Sequence, residues 1–360
     1  MNFALNLPVN GVSFGQTSVA ILREIYKAGY APALFPIGNP DLSAYNQDND
    51  FNLWLQSCVN KAYKYHKRTT PILKLWHLNQ SLDSFSKEQA LFTFHETDQT
   101  TEEENNAIQN QSHIFVSSKY TKEVFENGGA TNVEYCPLGF DSHSFKKTDK
   151  KYLSDKYINF SLSGKLEDRK NTLRILKLWA KKFGNDRSYF LNCLIFNPFI
   201  PPQEQEGMIM QALEGKRYWN IKFHPSLRTN AEVNDFINNT QIELCGLSGC
   251  EGFNLPLLNA LCMGKQAVVL NAHVHKDFCN EENSILVQPT GLRQAVDNKF
   301  FIKGAPFNQG NWFDFNDDEV IAAMERAASK ANIVNSVGEK LKEEFSFSRT
   351  AQTIVNYFKK

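Results

Sequence analysis

Leu247-Ser248-Gly249-Cys250-Glu251-Gly252-Phe253-Asn254-Leu255-Pro256-Leu257-Leu258-Asn259-Ala260-Leu261-Cys262-Met263-Gly264 is the stretch whose reading decides the fold. The apolar run Ile242 to Cys245 just before it predicts a strand, the small residues around Glu251 a turn, and the segment from Leu255 a helix. Asn254 can cap that helix, Pro256 suits its first turn, and Gly264 can end it. A strand that feeds a glycine-rich turn and then a helix start presents free backbone N–H groups beside a loop of small residues. Such a place suits a diphosphate. Glu251 stands at its mouth, where a carboxylate can accept hydrogen bonds from sugar hydroxyls. The same residues also fit a plain helix start, with Glu251 as a cap and Gly252 as a turn.

A second stretch has the same plan. Phe160-Ser161-Leu162-Ser163-Gly164-Lys165-Leu166-Glu167-Asp168-Arg169-Lys170-Asn171 reads as strand, glycine turn and helix start, with Lys165, Arg169 and Lys170 close to the turn. In isolation it fits a solvated basic loop. Its place is informative, however, because it falls at the first strand-to-helix turn of the second half of the chain. In an open α/β sheet that edge is where ligands bind.

Outward from these two stretches, short apolar runs alternate with amphipathic helical patterns, which predicts parallel α/β layers. The first half has strands at Phe3 to Val9, Ala31 to Ile37, Pro71 to Trp76, Ala90 to Phe94, His113 to Ser117 and Val133 to Leu138. Its helices include one carrying Val19, Leu22, Ile25 and Tyr26 on one face, and another at Lys119 to Asn127. Asp141 to Asp155 is polar, lysine-rich and weakly patterned, as in a linker. The second half has strands at Tyr157 to Leu162, Tyr189 to Phe196, Asn220 to Phe223, Ile242 to Cys245, Gln266 to Leu270 and Ser284 to Val287, with a clear helix at Asn171 to Lys182. Two or three helices follow from Asp317. Domains at 1–150 and 151–340, with 341–360 as a closing helix, are the expected division.

Bulk properties agree with this. A chain of 360 residues exceeds what one core usually covers. Hydrophobic residues at 42% and charged residues at 22% are ordinary for a globular protein. With 39 basic and 39 acidic side chains there is no overall field to draw nucleic acid or anionic lipid. The seven cysteines are scattered without a C-x-x-C pair, so buried reduced thiols are expected rather than a zinc or disulfide framework. The first fifteen residues lack the pattern of a signal peptide, and no run reaches the ~18 apolar residues of a membrane span. A cytoplasmic location is the expectation.

Taken in order, these elements resemble the retaining glycosyltransferases of family 4. Their donor domain carries a strand, then G-R-x-x-x-x-K-G, later S-x-x-E-G-F-G-x-P-x-x-E-A, and a small-residue stretch before an extended strand. This chain has Gly164-Lys165 and Lys170-Asn171, then Ser248 to Pro256, then Asn259-Ala260. Val268 to Asn271 and Ile285 to Pro289 are similar to the closing strands. Phe115-Val116-Ser117-Ser118 and Pro137-Leu138-Gly139-Phe140-Asp141 are similar to segments preceding the linker, and Phe345-Ser346-Phe347 with Thr350-Ala351 to a last helix that crosses back. The resemblance covers most of the chain.

It implies the GT-B architecture: two Rossmann-like α/β domains facing a cleft, with a C-terminal helix returning to domain one. It also implies transfer of a sugar, with retention, from a nucleoside diphosphate sugar to a hydroxyl acceptor such as a saccharide. The donor is a substrate, and neither a cofactor nor a metal is expected. By position, Lys165 and Lys170 would neutralise the diphosphate, with Arg169 and Gly164 beside them. Ser248 and the backbone of Gly252, Phe253 and Asn254 would support it. Glu251 would hold sugar hydroxyls, Asn259 would face the ribose, Gly11 and Gly15 would let the first loop approach the donor, and His95 would touch the donor sugar.

Four positions depart from the family pattern. Lys165 stands for Arg, Asn171 and Asn254 stand for glycines, and Asn259 stands for the second glutamate. Two alternative functions fit the same features: a transferase acting on modified bases in DNA, and a non-catalytic sugar-nucleotide-binding protein. Two metal-like motifs are set aside. Asp48-Asn49-Asp50 reads as a solvated turn, and His273-Val274-His275, lacking further ligands, as a surface loop.

Overall fold

A computed structural model describes residues 3–148 and 156–359. In chain order the first half contains β1 (Ala4–Pro8), α1 (Ser13–Lys27), β2 (Ala33–Ile37), α2 (Asn49–Tyr65), β3 (Ile72–Leu75), β4 (Gln89–Thr93), α3 (Glu102–Gln109), β5 (His113–Val116), α4 (Lys119–Asn127) and β6 (Val133–Tyr135). The second half contains β7 (Ile158–Ser163), α5 (Thr172–Phe183), β8 (Tyr189–Leu194), α6 (Pro202–Ala212), β9 (Ile221–Phe223), α7 (Asn230–Asn238), β10 (Ile242–Gly246), α8 (Leu255–Cys262), β11 (Gln266–Leu270), α9 (His275–Phe278) and β12 (Ile285–Val287). A hairpin, β13 (Pro289–Gln294) and β14 (Asn311–Phe315), follows, and then α10 (Asp317–Ser329), α11 (Ser336–Glu344) and α12 (Phe347–Tyr357).

The strands form two six-stranded parallel sheets, in the orders β2-β1-β3-β4-β5-β6 and β12-β11-β10-β7-β8-β9. The two sheets and their helices make two lobes, and the expected α/β class with two Rossmann-like units is what the structure shows. Strands covered by helices on both faces are predominantly apolar, and β1, β4, β10 and β11 are buried at every residue. In each sheet the strand order reverses once, between β1 and β3 in the first and between β7 and β10 in the second. The crevice beyond the C-terminal ends of strands at such a reversal is where a ligand fits.

Both ends of the chain bear on the first lobe. As expected, the last helix returns there: Phe358 stacks on Phe3 at 5.0 Å, and Thr350 Oγ1 donates to Pro137 O at 2.7 Å. The expected linker runs partly through 149–155, outside the described residues. Its described part is held along α7, where Asn234 Oδ1 accepts from Lys146 N and Asn238 Oδ1 from Thr148 N. All seven cysteines are free and buried. No helix among the described residues is long and apolar enough to cross a membrane.

Three features differ from the sequence expectation. Asp48 lies at a helix start rather than in a turn: its side chain accepts from Phe51 N and caps α2. That helix was legible in Phe51, Leu55, Cys58 and Ala62, which recur every three or four residues and form its buried face. His273 and His275 are buried, not on a surface loop. The β13–β14 hairpin was not expected from the sequence, since most of its residues are exposed or half-exposed and its strands pair across a long intervening segment.

Candidate functional site

The two stretches singled out in the sequence meet at the reversal of the second sheet. Residues 164–171 leave the end of β7, and residues 247–254 leave the end of β10. Gly249 N donates to Arg169 O at 2.8 Å, which ties one loop to the other. Below them Glu243 is fully enclosed. It accepts from Ser161 Oγ and Ser163 Oγ at 2.8 Å each, and from the backbone N–H groups of Ser163, Leu244 and Cys245. Burial raises its carboxyl and those bonds oppose the rise. This acidic side chain in a parallel strand was not singled out from the sequence, although an acidic residue in so apolar a run signals a partner set.

The charged centre is a cluster around one guanidinium. Arg169 NH1 lies 2.8 Å from Glu251 Oε2, and its NH2 lies 3.1 Å from Glu96 Oε1 and 3.2 Å from Glu167 Oε2. NH1 also donates to Cys250 O. Lys170 Nζ sits 2.5 Å from the other Glu251 oxygen. The side chains of Arg169 and Glu251 are only 6% and 7% accessible, whereas Lys170 keeps 21%. Burial alone would raise the Glu251 carboxyl. Arg169 and Lys170 overcome that and hold it well below the usual carboxylate range. Glu96 goes the other way, since burial pushes its carboxyl up more than Arg169 pulls it down. Glu251 is therefore an ionised acceptor whose two oxygens are aimed by two different cations.

The remaining expected residues fall as follows. Lys165 stands at the mouth with 38% of its side chain accessible, 3.9 Å from Glu167 and 5.2 Å from the centre of the Phe199 ring. Gly164 has φ +139°, a conformation that disfavours side chains, and a Cβ there would lie 3.3 Å from Lys170 Cδ. Ser248 is buried, its hydroxyl donating to Cys250 O. Gly252 and Phe253 donate their backbone N–H groups to no acceptor among the described residues. Asn259, on the second turn of α8, is buried, and its Oδ1 has no hydrogen-bond partner among the described residues.

Gly11 and Gly15 both lie where the first loop packs on itself. A Cβ on Gly15 would fall 2.2 Å from Asn10 Oδ1, and one on Gly11 would fall 2.7 Å from Ala44 Cβ, so the missing side chains let the loop fold on itself. The His95 side chain has its present partners outside the charged cluster. Its ring is buried against Phe125, with Nε2 2.9 Å from Gln99 O, and it is not brought into the cluster. The next residue, Glu96, reaches the cleft instead. His77, at the end of β3, faces the same cleft and packs on Phe14 at 4.4 Å. Its side chain stays exposed at the surface, and the surrounding protein first, then Lys165, hold its imidazole below the ordinary value.

Two of the four departures from the glycosyltransferase pattern are explained by backbone conformation. Asn171 has φ +53° and Asn254 φ +71°. These are left-handed positions, for which asparagine is the best substitute for glycine. Each amide then adds a bond that glycine lacks. Asn171 Nδ2 donates to Leu247 O at 2.9 Å, and Asn254 Nδ2 donates to Cys245 O at 3.0 Å. Asn254 Nδ2 also meets His275 Nε2 at 2.9 Å, while His275 Nδ1 faces Leu270 O. Burial lowers His275 to about 4, so the imidazole is neutral and accepts at Nε2. We expect Asn254→Ala to lower stability by about 2 kcal/mol and Asn254→Gly by only about 1 kcal/mol. Urea unfolding of both variants checks this, and a glycine variant weaker than the alanine one would refute the conformational account.

The two lobes meet around this site. Ser117 Oγ donates to Gly252 O at 2.6 Å, and a Cβ on Gly252 would lie 2.7 Å from Phe94 Cβ. Gln16 and Asn230 exchange side-chain amide bonds of 2.7 and 3.0 Å. Two facing α/β lobes meet around an anionic acceptor held between cations, and solved structures share the two-lobed fold. A sucrose-phosphate synthase from Thermosynechococcus elongatus superimposes with a TM-score of 0.70 at 14% identity, covering 100% of this chain and 98% of that one. Anabaena HepE in complex with UDP-glucose gives 0.64 at 14% identity, covering 100% and 99%. A glycosyltransferase from Rickettsia africae gives 0.66 at 10% identity, covering 99% and 97%.

The chain has the GT-B fold.

No protein-family model matches the sequence, and no curated protein matches it either. Within the GT-B frame, the β7/β10 reversal is the crevice of the second lobe, and the β1/β3 reversal, with Phe14 and His77, is the wall opposite.

Proposed function

We propose that this protein is a glycosyltransferase that moves a sugar from a nucleoside diphosphate donor to a hydroxyl acceptor, a saccharide being the acceptor class we favour. The observation that carries this reading is Glu251, buried and ionised between Lys170 and Arg169 beside the start of α8. The two lobes are read as domains 1–150 and 151–340, with 341–360 returning to the first. HepE, a neighbour in fold, is described in complex with UDP-glucose, which supports a nucleotide-sugar as the donor here.

The leaving group is a nucleoside diphosphate, so catalysis must neutralise charge growing on its β-phosphate. Lys165, Lys170 and the N–H groups of Gly252 and Phe253, which have no acceptor among the described residues, suit that task and would take the place of a metal ion. Lys170 would turn from Glu251 to the diphosphate as the donor binds. Arg169 would stay on Glu251 Oε2 and keep the carboxylate charged, which frees Oε1 to accept from a sugar hydroxyl. Retention of configuration, with the donor phosphate taking the acceptor proton, completes the proposal. Closure of the lobes would exclude water and suppress hydrolysis. Free buried thiols support a reducing, cytoplasmic setting.

A thermal-shift panel of UDP-, GDP- and ADP-sugars tests the reading, followed by assay of donor hydrolysis and transfer. No stabilisation and no turnover with any of them would sink it. If Glu251 touches the sugar, Glu251→Gln should cut transfer at least tenfold while leaving affinity for the free nucleoside diphosphate within about twofold, the loss corresponding to one bond to a charged group. Equal losses in initial rates and in calorimetric affinity would place Glu251 on the nucleotide.

Asn259 is proposed to face the ribose, where its unpartnered Oδ1 could accept from one hydroxyl. A carboxylate could accept from both, so Asn259→Glu is expected to tighten nucleoside diphosphate binding several-fold, worth about 1 kcal/mol. Unchanged affinity in the variant, or failure to fold, would remove Asn259 from the ribose site.

A further inference from the structure

The β13–β14 hairpin belongs to neither main sheet, yet it touches both loops of the site and the first lobe. Toward the site, Phe313 N donates to Gly249 O at 2.9 Å, and Arg293 NH2 donates to Asp168 O and Asn171 Oδ1 at 2.6 and 3.1 Å. The Arg293 guanidinium lies 4.8 Å from the centre of the Trp312 ring. Toward the first lobe, the fully buried Trp312 donates its indole N–H to Glu96 O at 3.1 Å. Asn311 donates N and Nδ2 to Asp98 at 2.7 and 3.1 Å. Thr101 Oγ1 donates to Pro306 O, and Asn308 N to Glu104 Oε1. The fit is close: a Cβ on Gly310, whose φ is +131°, would lie 2.6 Å from Asp98 Oδ1.

What this does to the site follows from the shape of a guanidinium. Glu96 lies on the irregular segment between β4 and α3, which has no ladder of its own to hold it. Its carboxylate meets NH2 of Arg169, and Glu251 meets NH1 of the same group. The guanidinium is planar and rigid, so fixing one nitrogen fixes the direction of the other. We propose that the β13–β14 hairpin is a positioning device: by holding Glu96 against Arg169 through Trp312 and Asn311, it makes the orientation of Glu251 depend on contact between the two lobes. Trp312, Asn311 and Glu96 are positioning residues in this account. Its meaning for catalysis rests on the reading of Glu251 as the sugar contact, but the coupling itself can be tested without ligand.

The test is amide hydrogen exchange on the full chain without ligand, comparing wild type with Trp312→Phe and with Asp98→Ala. The first removes the indole N–H and keeps an aromatic ring. The second is a partly exposed loop change, so one variant remains informative if the other fails to fold. Both should speed exchange at least fivefold in 94–101 and also at Lys170, Asn171 and Gly249, whose N–H groups are bonded within the site loops. Ile302→Ser, at the exposed end of the hairpin, should leave both regions unchanged. Acceleration confined to 94–101, or absent from both regions, would overturn the proposal.

A kinetic arm separates positioning from packing. Glu96→Gln should lower kcat for UDP-glucose turnover at least fivefold with affinity for UDP within twofold. Parallel losses would mean a packing role and count against the proposal. If wild-type protein neither binds UDP nor turns over UDP-glucose, the functional reading is what fails, and the exchange result still decides the coupling.

Discussion

Replacing Arg169 with Met should lower the stability of the protein by about 3–5 kcal/mol, the cost of stranding buried charges when one partner of an enclosed ion cluster is removed. The guanidinium is the shared partner of Glu96, Glu167 and Glu251, and the side chains of the last two are only 10% and 7% accessible. Without it, Glu251 keeps Lys170 but Glu167 keeps only Lys165, at 3.9 Å. Met fills much of the same volume, so the loss reports charge rather than a cavity. Urea unfolding of the two proteins measures it. Adding Glu167→Gln to the Met variant should restore part of the loss, because one stranded charge is then gone. An unchanged midpoint would mean that the carboxylates do not depend on Arg169.

Lys170→Ala, one residue along, should behave in the opposite way. Turnover of the nucleotide-sugar donor should fall at least tenfold, while the melting temperature stays near that of wild type. Lys170 is partly accessible, so water can replace its ammonium in the free protein, and Glu251 keeps Arg169. In the reacting complex the same ammonium is assigned to the leaving diphosphate, where a lost charge-assisted bond costs about 1.5–3 kcal/mol, a tenfold effect or more. Initial rates alongside a melting curve decide the matter. Kinetics equal to wild type would take Lys170 out of the site, and a large drop in melting temperature would make it structural like Arg169.

The contrast between these neighbours shows what could be read in the chain. Three cations after Gly164 were legible as a cationic turn at the edge of the second sheet. That Arg169 would turn inward and Lys170 outward was not, because a short irregular turn has no periodicity to assign its faces. The same holds after β4. His95 was the residue expected in the cleft, whereas the backbone beyond the strand turns His95 toward Phe125 and Glu96 toward Arg169. Asn171 and Asn254 looked like losses from the glycine pattern. Their positive φ shows that asparagine satisfies the same backbone requirement and adds a bond to the neighbouring loop.

By itself the sequence determined the two α/β halves, the order of the twelve strands of their main sheets, several of the helices, the strand-turn-helix plan of the loops 164–171 and 247–254, and the return of the last helix. Each of these rests on local patterning: apolar runs buried on both faces, helices with one apolar face, and glycine or asparagine where the backbone must turn. Tertiary structure alone decided which carboxylates surround Arg169, that Glu243 lies beneath both site loops, and that the β13–β14 hairpin bridges the lobes. Those outcomes depend on hydrogen bonds and ion pairs between segments far apart in the chain, such as Trp312 with Glu96 and Arg169 with Glu251. A polar side chain in an irregular segment takes its direction from whichever distant partner satisfies it on burial, and only the assembled fold supplies that partner.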